Sequence, residues 1–170
     1  MKRLVFILVI LCLCFSGVVS AKNDCKYKQG DLELIDGNAV EKSTGEPANG
    51  LLCTYGEDDN LEREYPYKNG KLEGIGKSYH KNGKLGAEYP YKKGKLEGVV
   101  KYYGENFIEE TPYKNDKREG ISKTYYESGI LFAKVHYYND KPVGGMCANG
   151  RTFTNAELLN WGNGHTVRCD

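Results

Sequence analysis

Between residues 50 and 145 the chain repeats one pattern of hydrophobic and polar positions. Short tyrosine-rich runs alternate with short polar turns, and no stretch there has the 3.6-residue spacing of a helix face. Gly50, Gly74, Gly98, Gly120 and Gly144 open successive units, spaced by 24, 24, 22 and 24 residues. Five residues on stands a tyrosine in each of the first four units: Tyr55, Tyr79, Tyr103 and Tyr125. A turn follows, then Leu61, Leu85, Phe107 and Leu131 at matching places. Each unit closes on a second tyrosine: Tyr67, Tyr91, Tyr113 and Tyr137. The next turn comes at once, as in Lys68-Asn69-Gly70. Asn-Gly between short apolar runs signals a hairpin, because both residues tolerate positive φ. Each unit is therefore expected to be two strands and two turns.

The buried face depends on turn register. A two-residue turn at Asn82-Gly83 sets Lys77 opposite Glu88. A three-residue loop over Lys81-Asn82-Gly83, with Gly83 left-handed, sets Tyr79 opposite Leu85 and Ile75 opposite Tyr89. The second is expected, because it gathers Ile75, Tyr79, Leu85, Tyr89 and Tyr91 on one face. Lys77, Lys101 and Lys123 then share that face and lie at its rim or across the rings. The third unit is two residues short, which preserves strand parity where a loss of one would turn every side chain over.

Non-repeating segments flank the array. Residues 22–49 are expected to form an N-terminal β cap, with a hairpin turning at Asp36-Gly37-Asn38. In residues 146–170, Thr154 and Glu157 have the spacing of a capping box, so a short helix should run from Asn155 to Trp161 and stop at Gly162. Its Leu158, Leu159 and Trp161 are expected to cover the open edge of the last hairpin. Asn163-Gly164 should then turn the chain into a short strand over 165–169. The fold class expected is all-β with one small helix: an elongated antiparallel β-hairpin meander in a single-layer repeat sheet.

Residues 1–21 have the form of a signal peptide. Lys2 and Arg3 precede an apolar run, and Val19-Ser20-Ala21 supplies small residues for cleavage after Ala21. That pattern predicts a periplasmic or secreted protein. Without this segment 22 basic and 23 acidic residues remain, so no basic excess exists to hold nucleic acid, and any membrane contact is peripheral.

Four cysteines lie beyond residue 21: Cys25, Cys53, Cys147 and Cys169. An even number in an exported chain suggests disulfides, and four cysteines allow three pairings. Sequential pairing, Cys25 with Cys53 and Cys147 with Cys169, needs no contact between opposite ends of an elongated array. It would staple the terminal units, which lack a neighbour on one side. A zinc site using His165 competes, but no Cys-x-x-Cys spacing supports it.

The blocks Tyr67-Lys-Asn-Gly-Lys-Leu-Glu-Gly74 and Tyr91-Lys-Lys-Gly-Lys-Leu-Glu-Gly98, with Lys77-Ser-Tyr79-His-Lys-Asn82-Gly83-Lys-Leu85 between them, resemble the MORN repeat variant. More narrowly, the chain resembles bacterial YwqK-type, antitoxin-like repeat proteins, over about residues 45–145. The resemblance implies a curved sheet of hairpins that associates with proteins and sometimes with lipid.

No catalytic or metal-ligand spacing accompanies the repeats. His80, His136 and His165 stand apart, and Glu64, Glu88 and Glu110 recur in register, as a strand surface does and an acid–base pair does not. The expectation is a non-enzymatic protein without a cofactor. It would serve as an interaction scaffold for a protein partner in the envelope or outside the cell. The expected contact surface is Tyr67, Tyr91, Tyr113 and Tyr137. Two alternatives stay open: a cell-wall or carbohydrate binder using tyrosine platforms, and an antitoxin-like component. The oligomeric state is not legible.

Overall fold

The computed structural model describes residues 25–162 and 167–169. The signal-peptide reading of residues 1–21, the turn at Asn163-Gly164 and His165 lie outside the described residues. Val167, Arg168 and Cys169 are described and form no strand.

The strands are β1 (Cys25–Lys28), β2 (Leu32–Ile35), β3 (Asn38–Glu41), β4 (Gly50–Tyr55), β5 (Leu61–Lys68), β6 (Lys71–Leu72), β7 (Gly74–Tyr79) and β8 (Leu85–Lys92). They continue with β9 (Lys95–Leu96), β10 (Gly98–Tyr103), β11 (Phe107–Lys114), β12 (Lys117–Arg118), β13 (Gly120–Tyr126), β14 (Leu131–Tyr138) and β15 (Lys141–Cys147). One helix follows, α1 (Asn155–Gly162). The main sheet runs β1-β4-β5-β7-β8-β10-β11-β13-β14-β15, antiparallel from β4 onward and in chain order. This is the single-layer hairpin meander that the repeat predicts. Ten strands in this path at about 4.8 Å per step span roughly 43 Å.

Each unit has two different turns for two different reasons. Asn69-Gly70 and Lys93-Gly94 close two-residue turns with both residues at positive φ, and Asn115-Asp116 and Asn139-Asp140 do the same without glycine. After each of the first three, the chain forms a two-residue strand (β6, β9 or β12) against the strand it just left. It then kinks at Gly74, Gly98 or Gly120, where φ is +109°, +124° and +110°. A side chain would be strained there, which is why a glycine opens each unit. Gly144 departs from this reading: it lies inside β15 at ordinary φ, because β15 continues without the kink.

The other turn corrects the expected register. Gly83 is left-handed at φ +77°, and the Gly83 N–H donates to the His80 carbonyl, closing the expected three-residue loop. Tyr79 faces Leu85 as expected. A register shift then intervenes, so Ile75 faces Pro90, Gly76 faces Tyr89 and Lys77 faces Glu88. The loop thus has the expected form while the strands below it take the alternative pairing, because a bulge absorbs one residue. Residues directly opposite share a face. Tyr89 and Tyr91 therefore lie on the side opposite Ile75 and Tyr79, and the single mixed face expected from the sequence does not form.

The short third unit has no bulge. Its turn at Glu105-Asn106 closes by the Gly104 N–H donating to the Phe107 carbonyl, and Tyr103 faces Ile108. One missing residue comes from the loop and the other is the bulge. Phe107 consequently does not take the place of Leu85. It stacks on Tyr102, with ring centroids 5.9 Å apart.

Both ends are capped. β2 and β3 pair across Asp36-Gly37, and Ala39 and Ala48 pack with Tyr27, Leu52 and Tyr67. β1 adds to β4 in parallel, a strand that the pattern of the sequence does not announce. At the other end, Thr154 and Glu157 exchange the two bonds of a capping box: the Glu157 N–H donates to the Thr154 hydroxyl at 3.2 Å, and the Thr154 N–H to the Glu157 carboxylate at 2.8 Å. The edge of β15 is covered by residues 151–153 and not by the helix. The Phe153 N–H donates to the Gly145 carbonyl, and Met146 bridges Thr152. Leu158 and Trp161 of α1 instead cover a core of Ala133, Val135, Tyr137, Cys147 and Phe153.

Candidate interaction surface

Register sorts every side chain of the sheet onto one of two faces. The first face carries the closing tyrosines Tyr67, Tyr91, Tyr113 and Tyr137. They form a ladder with the short strands, since Leu72, Leu96 and Arg118 stand opposite Tyr67, Tyr91 and Tyr113. Arg118 also lies over the Tyr137 ring, 4.4 Å from its centroid. Tyr91 lies on Gly76, where an added Cβ would stand 2.9 Å from the ring. Burial raises the phenol pKa of all four, with Tyr91 pushed up to about 12, while the Arg118 guanidinium works in the opposite direction on Tyr113 and Tyr137. Tyr137 is 2% exposed and belongs to the C-terminal core. α1 and Phe153 close over its neighbours and leave it almost no open surface. Tyr67, Tyr91 and Tyr113 are half-buried packing rings, and Tyr67 packs against the N-terminal cap.

The second face is built of three parallel rows. The middle row crosses the sheet as Cys53, Glu64, Lys77, Glu88, Lys101, Glu110, Lys123 and Lys134, each directly opposite the next. Opposite charges alternate from Glu64 to Lys123. Lys101 and Glu110 make an ion pair at 3.1 Å. Glu64 is 3% exposed and accepts a hydrogen bond from the Tyr79 hydroxyl at 3.0 Å, and Glu88 accepts one from Tyr103 at the same distance. Burial, then the Glu64 bond, pushes the Tyr79 phenol up to about 12. Tyr55, Tyr79, Tyr103 and Tyr125 form the row on one flank. Glu64 and Glu88 therefore serve the structure, since each anchors the tyrosine of the next unit.

The row on the other flank is apolar: Leu51, Pro66, Ile75, Pro90, Val99, Pro112 and Ile121. Ile75, Val99 and Ile121 are 49%, 46% and 53% exposed. Both caps pack on the first face and leave this row open. Sequence reasoning passed over it, although a signal was present. An aliphatic residue follows the opening glycine at Leu51, Ile75, Val99 and Ile121, and a proline precedes the closing tyrosine at Pro66, Pro90 and Pro112.

A second recurring group also escapes sequence reasoning. Glu73, Glu97 and Glu119 each accept the backbone N–H of a turn residue one unit on: Lys93 at 2.7 Å, Asn115 at 3.0 Å and Asn139 at 3.0 Å. Asn49 caps Asn69 in the same way at 2.8 Å. The glutamate just before the opening glycine is therefore a clamp between successive units.

Cys25 pairs with Cys53 and Cys147 with Cys169, with Cα atoms 5.7 and 5.4 Å apart. The sequential pairing holds, and each bridge ties an end segment to the sheet. His80 donates through Nε2 to the Tyr103 carbonyl at 2.7 Å and so joins two hairpins. His136 faces Ile121 and Gly144. Among the described residues no group of three His, Cys, Asp or Glu side chains is placed to hold a metal ion.

The repeated turn, kink and tyrosine ladder fall largely within segments that match a known repeat family. Three segments match the MORN repeat variant: residues 48–69, 72–93 and 118–139. Each window ends on the first residue of the two-residue turn, at Asn69, Lys93 and Asn139. The third unit falls between the second and third windows, and it is the unit that lost its bulge and one loop residue. Among curated proteins, none matches this chain. MORN repeats are in general interaction repeats for proteins or membranes and are in general non-catalytic.

Proposed function

We propose that this chain is an exported, non-catalytic scaffold that binds a protein through the second face of its sheet. The observation that carries the reading is the open apolar row of Ile75, Val99 and Ile121 between prolines. A recurring apolar strip of this kind on an otherwise charged surface is the signature of a docking surface. A carbohydrate platform would need a row of exposed rings. Tyr67, Tyr91 and Tyr113 are half-buried, the exposed rings Tyr102, Phe107 and Tyr126 gather in one patch on the first face, and the exposed feature that recurs from unit to unit is aliphatic, which favours a protein. The two cysteine pairs suit an oxidising compartment outside the cytosol, and residues 1–21 supply a means of export. The same placement argues against an antitoxin working in the cytosol.

Repetition supplies the mechanism. Each unit offers a similar small patch, so affinity accumulates over several weak contacts. Capture of a protein from envelope extract by the wild-type chain is compared with capture by the Ile75→Asp/Val99→Asp/Ile121→Asp variant. Loss of capture with the circular dichroism of the fold intact is the expected result. Undiminished capture by the folded variant would refute the reading.

A further inference from the structure

The charge order on the second face is complementary to itself. Read across the sheet, the row is Glu64, Lys77, Glu88, Lys101, Glu110, Lys123. An alternating row of even length, turned end for end, sets every glutamate against a lysine. A two-fold axis lying between two sheets and parallel to their strands performs that reversal. It passes between β8 and β10. Glu88 of one copy then meets Lys101 of the other and Lys77 meets Glu110, while Glu64, 3% exposed and bonded to Tyr79, takes no part in the contact.

The same axis keeps the apolar row on the apolar row. Pro90 meets Val99, Ile75 meets Pro112, and Pro66 meets Ile121, so each proline lies against an aliphatic side chain. A two-fold axis along the charge row does the reverse. It sets like charges together and places the apolar row against the tyrosine row. Only the first arrangement satisfies both rows. Accepting that the second face docks a protein, we infer that its partner is a second copy of this chain, packed face to face about that axis.

The available area is of the right order. The eight hairpin strands of the four units, β4, β5, β7, β8, β10, β11, β13 and β14, at about 4.8 Å, with roughly six residues of each at about 3.3 Å, offer about 700 Å² per copy. A standard interface takes about 800 Å² per partner. The contact is isologous, as a two-fold dimer requires. The apolar clusters of both caps pack on the first face, and of the caps only the Cys25–Cys53 bridge, at the end of the charge row, reaches the edge of the contact.

Sedimentation equilibrium of the purified chain tests this, using Lys101→Glu, Lys101→Glu/Glu88→Lys and Val99→Asp. The wild type is expected to be a dimer. Lys101→Glu places glutamate against Glu88 twice and should weaken association by about tenfold or more. The double variant restores both intermolecular pairs while leaving Lys101 and Glu110 of the same copy unable to pair, so it should dimerise again. Val99→Asp, on a half-exposed residue outside the charge row, should give a folded monomer. A monomeric wild type overturns the inference. So does a folded Lys101→Glu or Val99→Asp that stays dimeric, or a folded double variant that stays monomeric. If the wild type is monomeric yet the triple apolar variant loses an envelope protein, this inference falls and the docking face stands.

Discussion

Lys93 carries a conformation that suits it poorly. It takes φ +52° in a turn where Asn69, Asn115 and Asn139 hold the same place at φ +50°. Asparagine tolerates the left-handed region and lysine does not. Lys93→Asn should therefore stabilise the fold by about 0.5–1 kcal/mol in denaturant unfolding, and an unchanged or lower midpoint would contradict the turn geometry. Glu97 tests the clamp between units. Glu97→Ala leaves the Asn115 N–H without its carboxylate and should cost about 1 kcal/mol, whereas Glu105→Ala, in the other turn, should cost almost nothing. Tyr79 and Tyr91 give the fold a dependence on high pH. Their phenols titrate at about 12 in the folded chain against about 10 in the unfolded chain. The unfolded chain gives up these protons first. Their contribution is complete below pH 10 and drains away as pH rises from 10 to 12. Unfolding midpoints measured across that window should fall, and Tyr79→Phe should flatten the fall.

At the scale of the element, the sequence shows what is periodic and hides what breaks the period. The turns at 69–70 and 81–83, the helix cap at Thr154 and the hairpin at 36–37 are all readable, because each has a local residue signature. The bulge below each three-residue loop is not, since a single inserted residue changes no local propensity. It nonetheless decides which side chains share a face, so the expected grouping of Ile75 with Tyr91 fails. The sequence pattern, in which the bulge is invisible, also sets Phe107 in the place that Ile108 takes and favours the packed tyrosines over the open aliphatic row as the contact surface. β1 escapes because its pairing is non-local and parallel, held by Cys25–Cys53. Close packing at the ladder is itself testable. Gly76→Ala sets a Cβ against the Tyr91 ring and the Glu64 carbonyl and should cost about 1–3 kcal/mol. Gly129→Ala, where an added Cβ meets nothing within 4 Å, should cost only its backbone strain, about 1 kcal/mol.

The whole molecule is a sheet with unequal faces. One face is closed at both ends by caps and lined between them by the half-buried closing tyrosines, and a disulfide ties each end segment to the sheet. The other presents a charge row and an aliphatic row to solvent. Val99 and Tyr102 lie on the same strand, β10, on opposite faces, with similar exposure of 46% and 44%. A photo-crosslinking residue at either site therefore reports on one face alone. Cross-linking of each variant to its binding partner, be it a second copy or another envelope protein, is the most direct test of which face binds. A cross-linked adduct is expected from position 99 and none from position 102; an adduct from position 102 alone would place the contact on the tyrosine face and contradict the account.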